Sequence, residues 1–249
     1  MTAPRLAYLL KKFPRLSETF VLGEILGQER LGADLHVFSR RPPDDEPRHP
    51  ELASLRATCE VLPPAKEIDP WQALIDEDGD ELLERIRALL RGVRHLGYAR
   101  LPSLLVEAIH LRRRCAELGI QHVHAHFATD SAVTAMLLHG LGGPTYSVTA
   151  HAKDLYRSTV NPDLLRALLE RCAFMVTVCD ANVRHVTELV GADAARSLRR
   201  LYNGIDIASF EGRGGGRREP GHVLSVGRLV PKKGFDVLVD ALAELAARG

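Results

Sequence analysis

Two histidine-bearing segments hold the side chains best able to do acid–base or ligand chemistry. His122-Val123-His124-Ala125-His126 sets three imidazoles at alternating positions, and Thr149-Ala150-His151-Ala152-Lys153-Asp154 adds a fourth with a carboxylate three residues on. Near neutral pH an imidazole can give or take a proton, and Asp154 could fix the tautomer of His151 or accept from a ligand hydroxyl. In a strand, period two puts His122, His124 and His126 on one face, about 6.5–7 Å apart. Zinc needs ligands about 2 Å from one centre, so three same-face histidines of one strand are not expected to converge on an ion. The expectation is no metal, with His126 at the strand end facing a cleft and the other two packed or bonded to backbone. His151 could also be a buried histidine bonded to backbone, but histidine recurs at two successive strand ends, which favours a ligand-facing role.

The loop Gly227-Arg228-Leu229-Val230-Pro231-Lys232-Lys233-Gly234 carries different chemistry. It follows the apolar run His222–Val226, which reads as a buried parallel strand, and precedes an amphipathic helix from Phe235 to Arg248. A strand, a glycine-bracketed basic loop and a helix N-terminus together form an anion site, where the helix dipole and free N–H groups add to the charges of Arg228 and Lys233. Phe13-Pro14-Arg15-Leu16-Ser17-Glu18-Thr19-Phe20 likewise joins the first strand to the first helix, where open α/β sheets bind ligands. Arg15, Ser17 and Thr19 could donate to a substrate; alternatively Ser17 caps the helix and Arg15 is solvated. No G-x-G-x-x-G pattern occurs there, which weakens a dinucleotide reading.

Short apolar runs alternating with helical patterns must position these groups, and that alternation predicts an α/β parallel sheet. Strands are expected at Leu6–Leu10, Leu35–Phe38, Val61–Leu62, His122–His126, Thr145–Thr149, Phe174–Val178 and Leu198–Tyr202. Helices are expected from Ser17 as N-cap, over Glu81–Leu96, over Asp130–His139, from Pro162 to near Arg171, and from Asp180 or Asn182 to Val190. Residues 40–80 read as a long loop with some helix. The glycine-rich stretch 211–220 reads as a linker between a domain over 1–210 and the beginning of another over 221–249.

The 249 residues carry 33 basic and 32 acidic side chains, a formal charge of +1 that gives no case for a nucleic-acid partner. The distribution is uneven: residues 42–80 hold eleven acids against three bases, and residues 81–114 hold eight arginines against three glutamates. The helix near Glu81–Leu96 sets Arg85, Arg87, Arg91 and Arg94 against an apolar face, which reads either as a solvated back or as a surface for anionic lipid. Cys59, Cys115, Cys172 and Cys179 form no CxxC pair and are expected as free thiols. The N-terminus has too short an apolar segment for a signal peptide, and no run reaches the roughly 20 apolar residues of a membrane span, so a cytoplasmic protein is expected.

In order, KKFPRLSETFVLGEI, HVHAHFATDSAVTA, YSVTAHAKDLY, FMVTVCDANVRHV, LYNGIDIASF and HVLSVGRLVPKKGFDVL resemble the motifs of glycosyltransferase family 4, in particular bacterial exopolysaccharide and colanic-acid type enzymes. The resemblance implies a GT-B fold, with a Rossmann-like N-terminal domain and the first strand–helix unit of a second. It implies retaining transfer of a sugar from a nucleotide-diphosphate sugar to a saccharide or lipid-linked saccharide acceptor in polysaccharide biosynthesis. By the same resemblance Arg228 and Lys233 look like the pair on the donor diphosphate, and His151 like the catalytic cleft histidine. Arg15, Ser17 and Thr19 look like the acceptor-side wall, beside the cleft residues His126 and Asp154. No cofactor or metal is implied, and the basic arginines would hold the protein at the inner face of the plasma membrane. Family members continue through a complete second domain, whereas here only 15 residues follow the basic loop, so a C-terminally truncated chain, inactive alone, is expected. The alternative is a non-catalytic acceptor-binding half that needs a separate donor-domain polypeptide. A sugar-nucleotide epimerase of similar architecture fits the two loops less well.

Overall fold

In the computed structural model, which describes residues 4–75, 79–211 and 220–248, the apolar runs become strands and the periodic segments become helices. The chain divides into two units, Met1–Ile205 and Asp206–Gly249. In the first, β1 (Arg5–Leu10) leads through α1 (Thr19–Arg30) to β2 (Asp34–Ser39) and β3 (Thr58–Val61). Three helices follow: α2 (Pro70–Ile75), α3 (Gly79–Val93) and α4 (Leu101–Leu118). Then come β4 (His122–His126), α5 (Asp130–Gly140), β5 (Thr145–Ala150), α6 (Ala152–Leu155), α7 (Pro162–Arg171), β6 (Phe174–Thr177), α8 (Asp180–Val190) and β7 (Leu198–Arg200).

All seven strands run parallel in the order β3-β2-β1-β4-β5-β6-β7. Chain order reverses between β1 and β4, so a ligand crevice is expected at their carboxyl ends. Alternation along each strand feeds two cores. Tyr8, Leu10, Leu35 and Val37 pack with Val21, Leu22 and Ile25 of α1 on one face. Ala7, Leu9, Val123, Ala125, Val148 and Met175 pack with the helices of the other face in a larger cluster. Nearly every residue of α5 is buried, from Ser131 to Leu138, which explains why its sequence is apolar all round.

Several expectations are corrected. The N-cap of α1 is Glu18, not Ser17, and it makes no side-chain cap bond; Ser17 is exposed in the turn before it. The third strand is Thr58–Val61, beginning three residues before the expected Val61–Leu62; as an edge strand it is largely exposed, so its polar residues hid it. The helix expected to reach Leu96 ends at Val93 and tightens into a 3₁₀ turn over Arg94–Leu96.

In the second unit, 3₁₀ turns at Ile207–Phe210 and Pro231–Lys233 precede α9 (Phe235–Arg248). His222–Val226 forms no strand, and Val223, Leu224 and Val226 are 52%, 79% and 87% exposed. A parallel strand needs neighbours to take its backbone hydrogen bonds, and no described strand pairs with this segment. Most of the linker expected over 211–220 lies outside the described residues.

Candidate active site

The β4 and β5 strand ends bring three of the predicted cleft residues, His126, His151 and Asp154, together. His126 closes β4, and His151 follows β5 as N-cap of α6. Their rings stack 5.7 Å apart at 16°, and His126 Nδ1 lies 3.4 Å from His151 Nε2. Phe20 and Phe127 flank His151, each with its ring centre 4.7 Å away. Phe127 adopts φ 71°, a left-handed conformation uncommon for a bulky residue, and its N–H donates to Thr149 O at 2.8 Å. That turn swings its ring across the strand ends.

His126 does not itself open to a cleft. It is 1% exposed beneath Tyr8 and Phe20, so His151 is the half-buried ring at the opening. His122 and His124 bond to side-chain hydroxyls and not to backbone: His122 to Thr145 and Ser147, His124 to Ser147 and Thr149, at 2.7–2.9 Å. The ladder is set by register, because β4 and β5 pair His124 with Ser147 and His126 with Thr149.

Asp154 is 5% exposed and satisfies backbone, not imidazole: its Oδ2 accepts from the N–H groups of His151 and Ala128, both at 3.0 Å. Burial pushes its carboxyl up to about 6 against those bonds, and Oδ1 is left buried without a partner. Arg15 is held by Glu18 at 3.1 Å and Asp44 at 3.7 Å. Ser17 and Thr19 are exposed beside it. Burial, with the like charges of Lys153, Arg41 and Arg15, holds Lys11 below the ordinary lysine range.

Sequence reasoning missed Glu24. Its Oε1 accepts from the Tyr8 hydroxyl at 2.9 Å, and its Oε2 stands 3.5 Å from His126 Nε2. Burial would raise this carboxyl, but His126, His124 and Tyr8 pull it down to about 2. Burial lowers His124 to about 3 and His151 to about 4. Ligand atoms of Glu24, His124 and His126 lie within 4.8 Å of one another, so two of the three β4 histidines do converge, with a carboxylate from α1 in place of the third. The spacing Phe20–Glu24, one helical turn, was the signal that both face the same sheet edge.

Sequence reasoning also missed a charged network behind the site. Arg40, at the end of β2, is buried and forks onto Glu107 of α4 at 2.7 and 3.0 Å, with Asp130 at 3.4 Å. Asp130 accepts from Tyr98 at 2.6 Å and pairs with Arg100.

Arg228 and Lys233 lie in the second unit, exposed, in the loop before α9. Gly234 takes φ 63°, which lets the 3₁₀ turn hand over to the helix, and its carbonyl accepts from Leu238. On α3, Arg85 pairs with Glu81 and Arg87 with Glu84, each at 2.5 Å; Arg91 and the following Arg94 are exposed.

The model for Glycosyltransferase Family 4 matches residues 17–209. A protein named as the colanic acid biosynthesis glycosyltransferase WcaL, of Salmonella typhimurium, is 25% identical over 98% of this chain. The chain spans 62% of that relative's length. Sucrose-phosphate synthase from Thermosynechococcus elongatus superposes with a TM-score of 0.51 and 11% identity, over 83% of this chain and 49% of that one, a likeness of fold. A UDP-N-acetylglucosamine 2-epimerase from Rickettsia bellii aligns with a TM-score of 0.47 and 7% identity, over 81% and 45% of the two chains, too distant to weigh between functions. With the family's model matched from the first helix to the end of the sheet, the chain belongs to Glycosyltransferase Family 4.

Proposed function

We propose that this chain is a glycosyltransferase chain that moves a sugar from a nucleoside-diphosphate sugar to a saccharide or lipid-linked saccharide, as in polysaccharide biosynthesis. The observation that carries the reading is His151, half-buried between Phe20 and Phe127 and beside His126 at the strand ends of a family 4 member. In this reading His151 meets the transferring sugar or its acceptor, and Asp154 holds the His151 backbone N–H at 3.0 Å beneath it. Arg15, Ser17 and Thr19 wall the acceptor, with His126 behind. Arg228 and Lys233 stabilise the charge that grows on the departing diphosphate, the role a metal ion serves elsewhere, so no metal is required. Attack on the same face through an oxocarbenium-like state would retain the anomeric configuration. The setting is cytoplasmic, with Arg91 and Arg94 offering a peripheral contact to anionic lipid; Arg85 and Arg87 contribute less because glutamates of their own helix pair with them.

A second reading, an acceptor-binding half completed by a separate donor-domain polypeptide, is favoured by the exposed, unpaired His222–Val226 segment. Calorimetric titration with UDP and GDP separates the two. The first reading expects micromolar binding that the Arg228→Ala, Lys233→Ala double variant abolishes. Absence of binding by the chain alone sinks it and leaves the second.

A further inference from the structure

We infer that Glu24, His124 and His126 form a site for one divalent transition-metal ion of the zinc class, which would tie α1 to β4. The inference stands apart from the transfer reading and needs neither donor nor acceptor. Glu24 Oε2 lies 3.5 Å from His126 Nε2, and Glu24 Oε1 lies 3.7 Å from His124 Nε2. One ligand atom from each residue falls within 4.8 Å of the other two. Ligands about 2.0–2.1 Å from a tetrahedral zinc ion stand about 3.3–3.4 Å from one another, so small rotations of a carboxylate and two rings close the set. Side chains two residues apart on a strand start about 6.5–7 Å apart. These two rings lean together, with centres 5.0 Å apart at 82°, and that lean is what lets a pair from one strand share an ion.

Burial gives an independent reason. His126 is 1% exposed, and its Nε2, aimed at Glu24, has no hydrogen-bond partner. Buried polar atoms nearly always have one, and an ion at this point would satisfy the nitrogen. The outer contacts that orient metal ligands are already in place. His124 Nδ1 lies 2.7 Å from Ser147 Oγ, His126 Nδ1 lies 3.4 Å from His151 Nε2, and the Tyr8 hydroxyl donates to Glu24 Oε1 at 2.9 Å. Metal-bound imidazoles donate their second N–H to such groups. Whichever nitrogens carry hydrogen in the metal-free chain, an ion takes both Nε2 lone pairs and leaves each Nδ1 to donate. Its competitor is the Thr149 hydroxyl, 2.9 Å from His124 Nε2. Two imidazoles and one carboxylate suit zinc-class ions, whereas magnesium and calcium favour six or more oxygen ligands. Three protein ligands leave a fourth position for water, and the Glu24 side chain, 35% exposed, marks the approach from solvent.

The test is calorimetric titration with Zn²⁺ of the full chain, stripped with EDTA and exchanged into metal-free buffer at pH 7.5, together with the absorption spectrum of the same chain loaded with Co²⁺. One Zn²⁺ per chain is expected, and the Co²⁺ form should show the visible bands of a four-coordinate ion without the near-ultraviolet band of a thiolate ligand. Loss of an outer contact alone typically costs 10–100-fold in metal affinity, so loss of a ligand in Glu24→Gln or His126→Gln should cost at least about 100-fold. Absence of stoichiometric Zn²⁺ binding by the wild type overturns the inference. So does a thiolate band, which would place the ion on a cysteine, or affinity that both variants keep within tenfold. Glu24 lies on a helix face open to solvent, so its variant serves where His126→Gln fails to fold, and the wild-type titration decides where both fail. No nucleotide or sugar is present, so failure here leaves the transfer reading intact, and failure of nucleotide binding leaves the metal result intact.

Discussion

At the scale of single residues, the polar seam on β4 makes a sign-definite claim about pH. Burial keeps His124 neutral down to about 3, whereas an unfolded chain takes up that proton near 6.5. The unfolded state therefore binds the proton first as pH falls. Stability from this group is complete above about pH 7.5 and is lost as pH drops from 6.5 toward 3, about 2 kcal/mol of it by pH 5. Urea unfolding at pH 7.5 and pH 5.0 should show a smaller pH-dependent loss in His124→Gln, whose amide can still bond to Ser147 or Thr149. Equal losses in the two proteins would refute the assignment. The same residues show how far side chains can be read from order alone. The period of two placed three imidazoles on one face. It could not reveal that Glu24 of α1 would reach two of them, or that Asp154 would spend its carboxylate on backbone N–H groups, because both depend on helix placement over the sheet.

Among the elements, a strand buried on both faces was legible where its residues are nearly all apolar, as in β1 through Ala7, Tyr8, Leu9 and Leu10. The edge strand β3 and the N-cap of α1 were not, since Thr58, Glu60 and Ser17 carry no pattern that separates strand or cap from loop. The joint between β2 and α4 was likewise invisible: Arg40 and Glu107 are 67 positions apart and meet only because the sheet order sets β2 beside β1. That pair yields a prediction. Removing Glu107 leaves Arg40 in the interior with only Asp130, 3.4 Å away, at a cost of up to about 3–5 kcal/mol, whereas replacing both by apolar side chains of similar size costs little because Asp130 keeps Arg100 and Tyr98. Glu107→Ala should therefore lower unfolding stability by about that amount, with Arg40→Met, Glu107→Leu close to wild type. Equal destabilisation by the single and double variants would mean that the pair contributes through geometry and not through charge satisfaction.

For the molecule as a whole, burial is concentrated in one unit. Among the described residues, every buried apolar side chain lies between Ala7 and Leu198, while α9 buries none of its own. Its Val237, Val239 and Leu245 are 64–67% exposed. Hydrophobic stabilisation scales with apolar area taken out of water, about 25 cal/mol per Å². Almost all of that area belongs to the first unit, so almost all of the folding free energy must as well. A chain ended at Ile205 should then unfold at the temperature of the full chain to within about 2 °C, since a change of 1 kcal/mol moves the midpoint of a domain this size by about 2–4 °C. Scanning calorimetry of both proteins checks this. A drop well beyond that margin would show that residues after Ile205 stabilise the sheet. Retained stability would instead leave the basic loop and α9 energetically independent, free to be ordered by a diphosphate or by further polypeptide without disturbing His151 and the groups that hold it.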